Sequence, residues 1–326
     1  MKPQVLPPNV LRHFYAGGPR IAAFRGIQLD SDHMPEEWIG AVNTTFGATN
    51  GRGLSHTQDG TLVRDAIAGD PETWLGPEHL ARFGPDAALL TKLLDAGQRL
   101  PVHFHPGREF ARRHLHLHHG KTEAWLILEA EPGAKVHVGF QHDVELATVR
   151  EWMRTQASEE MLAAMHEVTV KPGDTIFVPA GTLHAIGEGI LIAELQEPTD
   201  LSINLEWAGF DLTEDGSHLG LGWDVALEAL DRTARTREQI EALYGPSLPS
   251  QADPYFRAER VRGGDTLDPG FSVLLGLSGE GSLAGVPVAR GTALLLPYAT
   301  GPVELQGDVE AIRSRPPDPS SPEGEW

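Results

Sequence analysis

Three histidines and one glutamate form the strongest candidate for a chemical site in this sequence. His103 and His105 are separated by one residue, and on a β-strand residues i and i+2 point to the same face. Glu123 opens the next strand-like run, and His184 follows a Pro-x-Gly turn. Three imidazoles and one carboxylate suit Zn, Mn or Fe and leave coordination positions free for water or substrate. We therefore predict one divalent metal ion at these four residues.

A second histidine cluster is denser, but it lies in a polar, arginine-rich stretch. It comprises His114, His116, His118 and His119. No Pro-Gly turn is present there to hold the side chains rigidly. We interpret this cluster as a mobile surface loop at the rim of the pocket rather than as a second set of metal ligands.

The elements that must position the site are predominantly strand-like. The chain contains 36 glycines and 25 prolines in 326 residues, a turn-rich composition that favours many short strands. Residues 1–60 and 255–313 are interpreted as short strands and turns. Helical segments are predicted near residues 61–99, 141–166 and 219–244, although within the first of these residues 86–94 fit a buried strand equally well.

Two segments resemble an internal repeat. Residues 173–179 and 291–297 each contain a glycine, five mostly apolar residues and a proline, which is typical of one corner of a β-sandwich. We therefore predict two β domains, a metal-binding one in residues 1–247 and a second in residues 255–313. The second contains no histidine, so it is predicted to be metal-free. Residues 314–326 are predicted to be a disordered tail.

Composition and charge exclude several classes of function. The 26 basic and 46 acidic residues give a net charge of −20, which repels nucleic acids and anionic lipid surfaces. The chain has no cysteine, which excludes disulfides and thiolate chemistry. Neither a signal peptide nor a membrane-spanning stretch is evident. We expect a cytoplasmic protein with a small-molecule ligand and no nucleic acid or membrane partner; the oligomeric state is left open.

The motifs resemble those of the cupins, which carry His-x-His with a later Glu, and then Gly-x5-Pro-x-Gly-x2-His. More narrowly, the chain is similar to type I phosphomannose isomerases. The resembling blocks are Glu36-Glu37-Trp38, residues 88–96 leading into His103-Phe104-His105-Pro106, Gly120-Lys121-Thr122-Glu123-Ala124-Trp125, and residues 178–187. The resemblance implies a mainly β fold with two cupin-type jelly-roll sandwiches and a helical insertion.

The resemblance also implies a function. This family uses a metal, usually zinc, to interconvert an aldose 6-phosphate and its ketose, here mannose 6-phosphate and fructose 6-phosphate. The chemistry moves a proton between two carbons through an enediolate, so it needs a metal and a general acid or base. Lys92, Lys121 and Glu188 are the catalytic candidates. Lys92 is conspicuous because it interrupts an apolar run in a chain with only five lysines.

Two departures from the family pattern leave alternatives open. His103 stands where the family usually has glutamine, which allows Mn or Fe instead of zinc. Ile203 is interpreted as occupying the position of a family arginine that anchors substrate. Trp38, Asn204 and Arg20 are the substrate-binding candidates. An isomerase of an unphosphorylated sugar, a cupin dioxygenase and a non-catalytic sugar-binding protein therefore remain alternatives.

Overall fold

Antiparallel strands dominate the computed structural model, which describes residues 1–320. The predicted mainly β fold is confirmed. The strands are β1 (Gln4–Val5), β2 (Val10–Leu11), β3 (Glu36–Ile39), β4 (Leu90–Ala96), β5 (His103–Phe104), β6 (Glu123–Ala130), β7 (Lys135–Phe140), β8 (Met165–Thr169), β9 (Thr175–Val178), β10 (His184–Ile186), β11 (Ile190–Gln196), β12 (Ile203–Asn204), β13 (Tyr244–Gly245), β14 (Arg257–Arg262), β15 (Thr266–Leu267), β16 (Ser272–Leu283), β17 (Val286–Ala289), β18 (Ala293–Leu296) and β19 (Val303–Arg315).

Short helices connect and cover the strands. The α-helices are α1 (Pro19–Arg25), α2 (Val63–Gly69), α3 (Pro71–Leu75), α4 (Pro77–Phe83), α5 (Arg108–Phe110), α6 (Leu146–Thr155), α7 (Ser158–Ala163), α8 (Trp223–Ala226) and α9 (Arg237–Glu241). A π-helical turn, Ala111–Leu115, follows α5. None of the helices in residues 1–320 has the length and apolar character needed to cross a membrane.

Two sheets share one apolar core. A seven-stranded sheet has the order β13-β9-β6-β11-β4-β3-β2, and a five-stranded sheet has the order β12-β5-β10-β7-β8. Trp125 and Ile192 from the first sheet lie in the same buried cluster as Val138 and Ile186 from the second. The space between these two sheets is where the candidate site is built.

The outer face of the five-stranded sheet is covered by helices. Phe104 and Ala185 pack there with Val149 and Met153 of α6 and with Met161 of α7. Because side chains alternate along a strand, the residues next to Phe104 and Ala185 point the opposite way, into the space between the sheets. The helical cover therefore fixes which face of β5 and β10 is turned inward.

The third sheet is built mostly from residues 257–315. Its order is β1-β18-β16-β19-β14, with β15 on β19 and β17 on β16. Strand β1 lies at the start of the chain yet pairs with β18, Gln4 opposite Leu295. The predicted span of residues 255–313 therefore lacks one strand that the sheet contains. Gly173 and Gly291, which open the two similar segments, have positive φ angles of 99° and 80° and precede β9 and β18.

The structure differs from the predicted helices in three places. Residues 90–96 form β4, a strand buried along its whole length, and a strand buried on both faces has the continuous apolar pattern of a buried helix. Residues 1–60 include α1, which begins with Pro19 and ends at Gly26 in the left-handed conformation. In residues 219–244 the helices are only short turns.

The predicted tail begins inside a strand. Ser314 and Arg315 are the last residues of β19, and both are buried. The remainder of the predicted tail includes residues 321–326, which lie outside the described residues.

Candidate metal centre and active site

Sheet register brings the predicted metal ligands together. His103 of β5 pairs directly with His184 of β10, and their Nε2 atoms are 3.0 Å apart. Glu123 reaches both sides of the group: its Oε2 lies 3.1 Å from Nε2 of His105, and its Oε1 lies 3.5 Å from Nε2 of His184. The three histidines offer ligand atoms that all lie within 4.8 Å of one another.

Backbone carbonyls define the tautomer of each histidine. In all three rings Nδ1 lies against a carbonyl oxygen, that of Pro101 at 2.8 Å, Leu201 at 2.7 Å and Thr182 at 2.8 Å. A carbonyl only accepts hydrogen bonds, so each Nδ1 carries the proton and donates it. Each Nε2 is therefore unprotonated and turns its lone pair into the site, which is the arrangement typical of metal-binding histidines.

The donor set fits a divalent metal ion. The facing Nε2 atoms of His103 and His184 are both acceptors, so no proton joins them, and a cation would satisfy both. Burial lowers the pKa of His105 and of His184 to about 3, which keeps both rings in the neutral, ligating form. Burial alone would raise the pKa of Glu123, but Lys121 holds that pKa well below its usual range.

Two buried lysines border the metal ligands. Lys121 donates from Nζ to Nε2 of His105 at 2.9 Å and forms an ion pair with Glu123 at 3.0 Å. Lys92 lies on β4, in the sheet that faces the histidines, 3.3 Å from Oε2 of Glu36 and 4.9 Å above the ring of Trp38. Burial would lower the pKa of Lys92, but the charges of Glu36 and the neighbouring carboxylates raise it, so Lys92 remains protonated.

Glu194 was missed by the sequence analysis. It pairs with Lys92 across β11 and β4, and its Oε1 lies 4.0 Å from Nζ of Lys92 and 3.6 Å from Nζ of Lys121. Burial raises the pKa of Glu194 to about 8. The sequence did contain a signal, because an acidic residue interrupts the apolar run of β11 as Lys92 interrupts that of β4.

The other predicted site residues lie in different places. Asn204 lies on the wall of the cavity, whereas Ile203 packs into the core under the helices. The residue that faces the cavity on β12 is therefore Asn204, and the interpretation that Ile203 replaces a substrate-anchoring arginine is wrong. Trp38 is fully buried, and its ring contacts the ammonium group of Lys92.

Glu188 and Arg20 are outside the cavity. Glu188 is exposed on the turn between β10 and β11, because the hairpin turns its side chain to solvent. Arg20 lies on α1 and forms ion pairs with Asp95 and Glu131. Neither lines the cavity, so the structure does not support the predicted catalytic role of Glu188 or the predicted substrate contact of Arg20.

A cavity of about 210 Å³ opens next to the metal ligands. Its charged lining residues are Lys92, Lys121, Glu36, Glu123, Glu194 and Asp200. In residues 1–320, no arginine contributes to this lining. Two lysines thus face four carboxylates, a formal charge of −2 that a divalent cation would neutralise.

Of the second histidine cluster, His114 lies in a π-helical turn, whereas His116, His118 and His119 lie in the irregular segment that follows it. Residues Ala111–Leu115 form a π-helical turn, and His119 is buried. Nε2 of His119 lies 2.6 Å from Oδ2 of Asp86. Burial alone would lower the pKa of His119, but the hydrogen bonds with Asp86 and Glu197 raise it to about 9. His116 and His118 are exposed.

Replacing His119 with glutamine is expected to change how stability depends on pH. The pKa of about 9 in the folded protein exceeds the 6.5 of an unperturbed histidine, so the stabilisation from this ion pair is fully present below about pH 6.5 and is lost as the pH rises through about 9. The shift corresponds to about 3 kcal/mol. Urea unfolding at about pH 6 and about pH 10 should show this loss in the wild type and not in His119→Gln.

The matched control is the exposed His142. The variant His142→Gln should keep the wild-type dependence of the free energy of unfolding on pH. An equal loss of stability with rising pH in the wild type and in His119→Gln would contradict the assignment.

Known proteins resemble the chain over nearly its whole length. It is 31% identical over 316 residues to the mannose-6-phosphate isomerase ManA of Bacillus subtilis, covering 91% of this chain and 94% of that protein. No family model matches the sequence. A crystal structure of the mannose 6-phosphate isomerase from Bacillus subtilis superposes with a TM-score of 0.74 and 21% identity, over 97% of this chain and 100% of that one.

A second solved structure bears on the metal. A mannose 6-phosphate isomerase bound with zinc and yttrium superposes with a TM-score of 0.72 and 16% identity, over 98% of this chain and 100% of that one. At this identity the likeness shows a shared fold. The histidine triad of the present chain fits a divalent ion on its own geometry.

Proposed function

Because this chain belongs to the mannose-6-phosphate isomerase family, we propose that it interconverts mannose 6-phosphate and fructose 6-phosphate with one divalent metal ion. The observation that carries the proposal is the opposition of two rows of side chains across the sandwich. Metal-ligating histidines lie on one sheet, and Lys92 and Glu194 lie on the other. The cavity between the rows gives a sugar access to both.

The proposed metal ion is zinc, held by His103, His105, Glu123 and His184. A donor set of three imidazoles and one carboxylate also accommodates Mn or Fe. When bound, the metal would polarise the sugar oxygens and stabilise the negative charge that develops during isomerisation. The protein's own side chains then have to move the proton between C2 and C1.

Glu194 is the proposed proton carrier. Its Oε1 accepts no hydrogen bond, and its pKa of about 8 lets it gain and lose a proton near neutral pH. It would take the proton from C2, giving an enediolate, and return the proton to C1. Lys92 keeps its positive charge beside this carboxylate, and it and Lys121 would help to neutralise the enediolate oxygens.

The function can be tested by proton exchange at C2. Mannose 6-phosphate in deuterated water is incubated with enzyme stripped by a chelator and with enzyme reloaded with Zn²⁺ or Mn²⁺. We expect deuterium at C2, seen by NMR, together with fructose 6-phosphate, only after reloading. Reloaded enzyme that binds metal but exchanges no proton would contradict the proposal and would direct attention to oxygen uptake, the assay for a dioxygenase.

A second candidate function is isomerisation of an unphosphorylated sugar. The specific observation is the charge of the cavity, where among residues 1–320 no arginine is present and Asn204 is neutral. A phosphate dianion normally binds to arginines in bidentate geometry or to lysines. The two lysines here already have carboxylate partners. The polar side chains that line the cavity, by contrast, can form many hydrogen bonds with sugar hydroxyls.

The two candidates differ in their expected kinetics. The second candidate predicts values of kcat/KM for mannose and mannose 6-phosphate within about tenfold of each other, whereas the proposed function predicts a larger preference for the phosphate; each tenfold preference requires about 1.4 kcal/mol of extra transition-state binding. Raising the ionic strength from about 0.01 M to about 0.15 M should increase kcat/KM for the phosphate and leave that for mannose unchanged, since salt screens repulsion by a chain of charge −20. A large preference for the phosphate that weakens with salt would exclude the second candidate.

A further inference from the structure

The backbone that carries Lys121 and Glu123 is held from its far side by Glu197. The side chains of Lys121 and Glu123 both point into the site, and Thr122 lies between them. The N–H of Thr122 donates to Oε2 of Glu197 at 2.9 Å. In return, the N–H of Glu197 donates to the carbonyl of Thr122 at 3.1 Å. Glu197 is 1% exposed and does not line the cavity.

Two basic side chains face the Glu197 carboxylate. Arg108 donates from Nε to Oε1, and its guanidinium stacks 4.7 Å from the ring of Tyr255. Nδ1 of His119 lies 3.9 Å from the same oxygen. Burial would raise the pKa of Glu197, but His119 and Arg108 lower it, so the carboxylate stays ionised. A buried charge with these partners has little freedom to move.

The same segment is packed closely against the residues that follow His105. The N–H of Lys121 donates to the carbonyl of Pro106 at 2.9 Å. A Cβ at Gly120 would lie 2.6 Å from the backbone nitrogen of Arg108, so only glycine allows this approach. Oγ1 of Thr199 donates to the carbonyl of Gly120 at 2.6 Å. Contacts from two sides thus hold the backbone of Gly120, Lys121 and Thr122.

On this basis, and resting on the function proposed above, we propose that Glu197 is a positioning residue for the metal centre. It holds the backbone of Thr122 so that the Lys121 ammonium and the Glu123 carboxylate keep their places beside His105. Sites of this kind depend on supporting contacts, because small displacements of a ligand reduce both metal affinity and rate. Glu197 itself touches neither the metal ligands nor the cavity.

The test compares Glu197→Gln, which keeps the shape and removes the charge, with Glu197→Asp, which keeps the charge. Zn²⁺ affinity is measured without sugar by competition with a chromophoric chelator, and kcat and KM are measured separately. We expect Glu197→Gln to weaken Zn²⁺ binding and lower kcat by about tenfold each, with little change in KM. Glu197→Asp should recover part of both losses. The control Glu167→Gln, at an exposed position on β8, should match the wild type.

A purely structural role for Glu197 predicts a different pattern. Thermal stability of the metal-free variant would fall, but Zn²⁺ affinity and kcat would stay within about twofold of the wild type, and that result would overturn the proposal. If Glu197→Gln does not fold, His119→Gln removes one of the two basic partners and should weaken Zn²⁺ binding in the same direction. If the wild type binds Zn²⁺ but has no isomerase activity, the proposed function is refuted. If Glu197→Gln then still weakens Zn²⁺ binding, the positioning role of Glu197 is retained.

Discussion

Replacing His184 with alanine is expected to abolish tight binding of one divalent metal ion and to lower kcat/KM by at least about 10³-fold. His184 is fully buried, and its Nε2 lies 3.0 Å from that of His103 and 3.5 Å from Oε1 of Glu123. Removing the ring takes away one ligand and opens the site between the two others. Metal content after dialysis, measured by mass spectrometry, and steady-state kinetics check the two parts of the prediction.

The matched control for this variant is His137→Ala. His137 lies on β7, beside β10 in the same sheet, and pairs with Ala185, whose side chain points to the helix-covered face. We expect the control to bind the full amount of metal and to retain its activity. If His184→Ala keeps its metal, or if His137→Ala loses metal equally, the assignment of the ligands is wrong.

The four proposed metal ligands could be grouped from sequence because each lies in a recognisable local pattern. His103 and His105 share a face through the two-residue period of a strand, and His184 follows a turn whose residues are distinctive. Glu123 opens β6, as the strand-like run that follows it predicts. The carbonyl partners that orient the rings could not be predicted, since the partner of His105 lies 96 residues away.

The row of side chains that faces the histidines, which contains Lys92 and Glu194, depends on long-range strand register, and the sequence alone does not specify that register. Lys92 was singled out as a charge in an apolar run, yet its partner Glu194 was not, and the exposed Glu188 was chosen instead. The register that places Glu194 against Lys92 and Trp38 against the same lysine comes from pairing of β4 with two neighbours. A shift of one residue would turn each of these side chains to the other face.

The charged interior is costly, and this cost favours a functional interpretation. Lys92 and Glu36 are both buried, and such pairs often contribute no net stability compared with apolar residues of the same size. Tyr15 and Trp38 each donate a hydrogen bond to Glu36, at 2.7 Å and 2.9 Å, which compensates part of the desolvation. The charges around Glu194 therefore serve the cavity rather than the fold.

Replacing Glu194 with glutamine is expected to lower kcat by about 10²- to 10⁴-fold, the range for loss of a general base. Zn²⁺ affinity should stay close to that of the wild type, because the Glu194 carboxylate faces the ammonium groups of Lys92 and Lys121 and is not one of the four proposed ligands. The control Glu129→Gln changes a carboxylate that pairs with Arg290 at the surface and should keep full activity.

Proton exchange distinguishes Glu194 from its neighbours. Deuterium incorporation at C2 should fall by the same factor as kcat in Glu194→Gln, because the variant retains the cavity and the metal but has no carboxylate to take the proton. The limb of the wild-type pH profile that rises as Glu194 loses its proton should also disappear. If exchange at C2 persists at the wild-type rate in Glu194→Gln, Glu194 is not the group that takes the proton from C2, and the proposed role of this carboxylate is wrong.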